Sequence, residues 1–191
     1  MPQKLVYYVA CTADGFIARK DGSIDWALSE GVHFTELTER FPETFPAHLR
    51  RTLGVTENVR RFGTVLMGRK TYEVGLNAGI TNPYEPLQQF VVSRTMPEIS
   101  DSGVQLHRVA PRELVRRLKG ESGRDIWLCG GGKLAASVFD EIDEMILKIN
   151  PVVIGAGIPL FDGAAVTRSM TLTEHMVFQN GFVLAHYEFA R

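Results

Sequence analysis

Short apolar runs recur along this chain at the length of single strands: Leu5 to Cys11, Thr64 to Met67, Phe90 to Val92, Val104 to Leu106, Ile126 to Cys129 and Met145 to Ile149. Runs in which apolar residues follow one another, as in Leu5 to Cys11, rather than at alternate positions, suit strands buried on both faces. Between them lie stretches of helical period. Pro111 to Lys119 opens with a proline suited to a first turn and sets Leu114, Val115 and Leu118 on one face; a second helix is expected from Lys133 to about Glu141. Strand and helix in alternation predict an α/β fold, a mostly parallel central sheet flanked by helices on both faces. The end of the chain breaks this rhythm. Asn180-Gly181 separates the runs Leu172 to Phe178 and Phe182 to Phe189, which predicts a C-terminal antiparallel hairpin closed by a two-residue turn.

A length of 191 residues, 45% of them hydrophobic, predicts one domain over residues 1–191 with a core that needs neither disulfide nor metal. Phe41 to Asn58, with Pro42 and Pro46 among mixed charges, reads as a broken helix or a surface excursion. A formal net charge of −1 offers no electrostatic reason to bind nucleic acid or an anionic membrane, so a small-molecule substrate is the expected partner. Cys11 and Cys129 fall inside strand-like runs, where reduced core thiols are the rule. That usage, with an amino terminus lacking a cleavable signal pattern, fits a cytoplasmic protein. The five histidines are scattered without metal-ligand spacing, and no Gly-x-Ser-x-Gly elbow is present, so neither zinc nor covalent catalysis is expected.

Three strand ends carry residues suited to a polyanion. After Asp125-Ile-Trp-Leu-Cys129 come Gly130, Gly131, Gly132, Lys133 and Leu134, a strand-to-helix turn where glycines admit a close backbone and a helix start offers free N–H groups. The spacing is neither that of the Rossmann fingerprint nor of a Walker loop, and a plain tight turn would use the same residues. A second strand ends in Gly68, Arg69, Lys70, Thr71 and Tyr72, and a third in Ser93 and Arg94. In open α/β sheets ligands bind beyond the carboxyl ends of strands, so three such ends can converge on one nucleotide. The first strand runs into Thr12-Ala-Asp-Gly-Phe-Ile-Ala18 and then Asp21-Gly-Ser-Ile-Asp-Trp26, where two Asp-Gly turns suit a loop able to fold over a bound ring; a surface hairpin with Trp26 tucked into the core is the competing account. Gly155 and Gly157 interrupt Ile149 to Phe161, as close backbone approach would require.

Taken in order, the segments 12–18, 21–26, Gly68-Arg-Lys-Thr-Tyr-Glu73, Gly130 to Leu134 and Pro151-Val-Val-Ile-Gly-Ala-Gly-Ile-Pro-Leu-Phe161 resemble the dihydrofolate-reductase-like superfamily, in particular its RibD C-terminal domain branch, the reductase domain of bifunctional riboflavin-biosynthesis enzymes. The resemblance covers nearly the whole chain and implies an NADPH-dependent oxidoreductase, expected as a homodimer. It implies that Gly68, Arg69, Lys70 and Thr71 meet the phosphates, that Ser93 and Arg94 hold the 2′-phosphate, that Gly130 to Leu134 cradle the pyrophosphate, and that Ala10 serves the nicotinamide carboxamide. Asp14, Trp26 and Tyr72 would shape the substrate pocket. The acidic residue that dihydrofolate reductases carry five positions beyond the loop tryptophan is Gly31 here, which leaves Asp25 and Glu30 as candidate proton donors. The expected reaction is hydride transfer to a C=N or C=O carbon of a small heterocycle such as an aminopyrimidine ribotide. Dihydrofolate reduction and NADPH binding without turnover are the alternatives.

Overall fold

A computed structural model describes residues 2–55, 59–163 and 167–190. Its centre is an eight-stranded sheet in the order β5-β4-β3-β6-β1-β7-β10-β9. The strands are β1 (Leu5–Thr12), β3 (Phe62–Gly68), β4 (Gln88–Val92), β5 (Val104–His107), β6 (Asp125–Gly130), β7 (Glu144–Asn150), β9 (Met170–Val177) and β10 (Val183–Phe189). β1 and β3 to β7 run parallel, whereas β10 is antiparallel to both β7 and β9. The short β2 (Phe16–Ala18) and β8 (Ile158–Pro159) pair with each other apart from this sheet.

The central strand shows why the apolar runs are continuous. Along β1, Leu5, Tyr7, Val9 and Cys11 enter one core, while Val6 and Tyr8 enter another on the opposite face. The first core is covered by α4 (Pro111–Gly120) and α5 (Gly132–Ser137), and Leu114, Val115 and Leu118 of α4 are at most 1% exposed. Each such side chain contributes roughly 1.5–3 kcal/mol on leaving water. α1 (Val32–Arg40) supplies Leu37 and α3 (Arg69–Asn77) supplies Tyr72 to the second core.

Two local expectations differ from what is observed. The helix expected over 133–141 stops at Ser137, whose hydroxyl donates back to the Leu134 carbonyl, and a 3-10 turn covers Phe139–Glu141. The hairpin loop has three residues rather than two, because the Phe178 N–H donates to the Phe182 carbonyl. Gly181, with φ of 82°, closes it in the left-handed region. The segment from Phe41 is, as expected, a broken helix, a 3-10 turn at Pro42–Thr44 followed by α2 (Ala47–Arg50), and Glu43 fastens it to β3. The fully buried Glu43 carboxylate accepts the N–H groups of Arg60, Arg61 and Phe62. Residues 56–58, the end of that stretch, lie outside the described residues.

Candidate functional site

Parallel strands deliver their carboxyl ends to one edge of the sheet. Register pairs Gly68 with Val92, Met67 with Gly130 and Val92 with His107, so the turns after β3, β4 and β6 are neighbours on one rim. A Cβ built on Gly68 would lie 3.5 Å from the Gly130 carbonyl oxygen and 3.6 Å from the Gly131 nitrogen. Arg69 leans from the β3 turn toward the β4 turn, with Nη1 3.4 Å from Thr95 Oγ1, and pairs with Glu73 at 3.4 Å. Ser93 Oγ accepts the Met96 N–H at 3.0 Å and orders that turn. Arg69, Lys70, Arg94 and Lys133 are all exposed along the rim, which gives it an excess of positive charge.

The three glycines of the β6 turn have different reasons to be glycine. Gly130 has φ of 115°, a region side chains avoid, and the Gly130–Gly131 peptide is cis. Gly131 has ordinary space: a Cβ there would meet only Ile17 at 3.7 Å and Thr71 at 4.0 Å. Gly132 is packed, since its Cβ would stand 2.3 Å from the Pro159 carbonyl oxygen. The packing around Gly157 is equally close, 2.3 Å from the Ala18 carbonyl oxygen to a built Cβ. Gly132→Ala is therefore expected to cost about 1–3 kcal/mol of stability through overpacking. Urea unfolding that leaves the midpoint unchanged would refute this packing account.

Beside the rim, at the ends of β1 and β7, a cavity of about 160 Å³ is lined by Tyr8, Ala10, Leu28, His33, Phe34, Lys148, Asn150 and Phe182 among others. Lys148 lies next to Ala10 in register. Its Nζ sits 4.1 Å from the centroid of the Tyr8 ring, and among the described residues no carboxylate bridges to it. Burial pushes this ammonium down to about 8, with Cys129 and Cys11 opposing. His33 stacks on Phe182 at 4.2 Å, its Nδ1 is 3.0 Å from Asn180 Nδ2, and among the described residues its buried Nε2 has no hydrogen-bond partner of normal geometry. Burial holds its pKa below the ordinary histidine value, with the Leu28 backbone partly opposing. Asn150 ties the wall together: Oδ1 accepts the Leu28 N–H at 2.9 Å while Nδ2 donates to the Lys148 carbonyl at 3.1 Å.

Of the pocket residues expected from sequence, only Ala10 lines this cavity. Asp25 lies in solvent rather than in a pocket, for its side chain is 64% exposed and accepts from Arg19 Nε at 2.6 Å. Glu30 is exposed and precedes the helix: α1 begins at Val32 after Gly31 at φ of 124°, so no helical face relates positions 30 and 31. Asp14 is occupied by Thr12 Oγ1 and the amides of Ile154 and Gly155, which hold its carboxyl below the usual range. Tyr72 is a core residue whose hydroxyl donates to the Thr81 carbonyl at 2.6 Å. Trp26 is 9% exposed and tucked in, as the competing account of its loop had it. Sequence reading passed over Lys148, His33 and Asn150. A lysine inside the apolar run Met145 to Ile149 was the available signal.

Among the described residues no helix is long and apolar enough to cross a membrane. The chain is 33% identical over 166 residues, 84% of each sequence, to the uncharacterized protein YwjB of Bacillus subtilis (strain 168). It is 26% identical over 198 residues to YyaP of the same organism, covering 97% of this chain and 94% of that one. A solved structure of a Shewanella sp. PV-4 protein named for riboflavin biosynthesis superposes with a TM-score of 0.72 at 24% identity, over 99% of this chain and 100% of that one. The Thermotoga maritima diaminohydroxyphosphoribosylaminopyrimidine deaminase/5-amino-6-(5-phosphoribosylamino)uracil reductase superposes with a TM-score of 0.66 at 15% identity, over 99% of this chain and 57% of that one. These two share the fold observed here. With its family profile matched from residue 3 to residue 184, the chain belongs to the RibD C-terminal domain family.

Proposed function

We propose that the protein is an NADPH-dependent reductase. The observation that carries this reading is the adjacency of a cationic, glycine-lined rim and a cavity that meet at Ala10. The donor set fits a dinucleotide phosphate: among the described residues no side chain caps the first-turn N–H groups of α3, and the Gly131 backbone is met on its Cβ side only at ordinary contact distance. In this reading Gly68 to Thr71 bind the phosphates and Ser93 with Arg94 binds the 2′-phosphate. Gly130 to Leu134 follow the pyrophosphate, although Gly132 faces protein, and the Ala10 backbone orients the carboxamide. The bound cofactor would supply a hydride. The cavity then positions the C=N or C=O carbon of a small heterocycle, and its aromatic walls keep water from the reacting atoms. An aminopyrimidine ribotide is the favoured acceptor, the substrate class in the Thermotoga protein's name. Dihydrofolate is disfavoured because the cavity's lining offers an ammonium and no carboxylate.

Calorimetric titration with NADPH, followed by NADPH oxidation with pyrimidine ribotides, pterins and simple carbonyls, tests the reading. Tight binding with silence across that panel would favour a nucleotide-binding module without turnover, and no heat of binding would end the reductase proposal. Gly131→Ala is expected to fold with unchanged stability and to lose at least about tenfold in NADPH affinity, as a methyl group displaces a close phosphate contact. Unchanged affinity would remove that turn from the site.

A further inference from the structure

Lys148 is the unusual group in the cavity. Charged side chains on central strands are ordinarily paired, as two others here are: Glu144 meets Lys4, Arg61 and His186, and Glu43 meets three backbone amides. The groups that face Lys148 are Tyr8 from β1, Cys129 from β6, Asn150 from its own strand and His33 across the cavity, with Cys11 near it on the opposite face of β1. None of them carries a negative charge at neutral pH, since burial raises Cys11 and Cys129 to about 11 and Tyr8 beyond the usual phenol range. Asn150 offers Lys148 no neutralising group either, because its oxygen accepts from Leu28. Depressed basicity in His33 means that it does not compete as a second cation.

We propose that Lys148 determines which acceptors the cavity admits: it selects a single flat ring bearing an oxyanion or a strongly polarised carbonyl oxygen, and it rejects a ring that carries positive charge. The inference rests on reading this cavity as the acceptor site. Size agrees, because a void of roughly 150 Å³ holds one benzene-sized ring. So does chemistry, since the ring would stack among Phe34, Phe45 and Phe182 while its oxygen accepts from the ammonium. The same charge stands where negative charge develops on an oxygen as its carbon is reduced, which makes it a stabiliser of that change as well as a filter.

The test uses the full chain and three one-ring probes of similar size: 4-nitrophenolate, neutral 4-nitrobenzyl alcohol and cationic benzamidine. Titration is expected to rank them in that order, and bound 4-nitrophenol should ionise at lower pH than in buffer, seen as its yellow band. Lys148→Met should abolish that spectral shift and weaken phenolate binding at least tenfold, while Lys148→Arg keeps the shift. The methionine variant should melt no lower than the parent, since a partly buried charge with no carboxylate partner among the described residues is removed. Benzamidine binding as tightly as phenolate, or an unshifted phenol in the parent, would overturn the proposal. NADPH affinity measured on the same three proteins separates the two readings. Normal NADPH binding with no anion preference sinks only the role of Lys148, and anion preference without NADPH binding sinks only the reductase assignment.

Discussion

Replacing Glu144 by alanine is expected to lower the unfolding free energy by about 3–5 kcal/mol, the usual loss when one member of a buried ionic cluster is removed. Glu144 is 2% exposed at the start of β7, in the middle of the sheet. Its carboxylate receives Lys4 from the lead-in to β1, Arg61 from the lead-in to β3, and His186 Nε2 from β10 at 2.7 Å. Burial alone would push its pKa up. Hydrogen bonds from His186 and Lys4, with the Arg61 charge, overcome that and hold it at about 2. Because the folded pKa lies below the ordinary value of 4.5, the stabilisation is complete above pH 4.5 and drains away as pH falls toward 2. Urea unfolding of the parent should therefore weaken steeply across that window, and the alanine variant should be both weaker at pH 7 and flatter in acid. A loss below about 1 kcal/mol at pH 7 would mean that water replaces the carboxylate without penalty.

A second large effect is expected on the rim. Changing Arg69 and Arg94 together to glutamine should reduce NADPH affinity at least about 100-fold while NADH affinity moves less than about threefold, given about 1.5–3 kcal/mol for each charge-assisted contact. The rationale is geometric. Arg69 reaches Thr95 in the turn that contains Arg94, so both guanidinium groups border the same exposed patch, and only one of the two dinucleotides has an extra phosphate to place there. Equal losses for NADH and NADPH would assign the two arginines to the shared pyrophosphate, and no loss for either would remove them from the site.

The central strands were legible because burial on both faces writes itself into sequence as an unbroken apolar run, as in Leu5 to Cys11. Helix α4 was legible from its proline start and the spacing of Leu114, Val115 and Leu118. What sequence concealed depends on partners far along the chain. Residues 41–50 are set by a carboxylate that binds backbone at 60–62, a contact with no periodic signature. The strand-end turns were found because glycine, serine and arginine are distinctive there, and they share one rim. The cavity was not found because its charged member hides within an apolar pattern, while the loop acids that attracted notice, Asp25 and Glu30, point to solvent.

The clip at Asp14 has a consequence for how a ligand would meet this surface. The loop expected to fold over a ring is already fastened: Asp14 grips the amides of residues 154 and 155, β2 pairs with β8, and the Leu160 N–H donates to the Gly15 carbonyl. A framework cross-braced in this way has surrendered its conformational freedom at folding and has little left to surrender on association. Occupancy should then be governed by encounter and departure rather than by a closing step, with single-phase kinetics and only small changes in amide hydrogen exchange over residues 12–18.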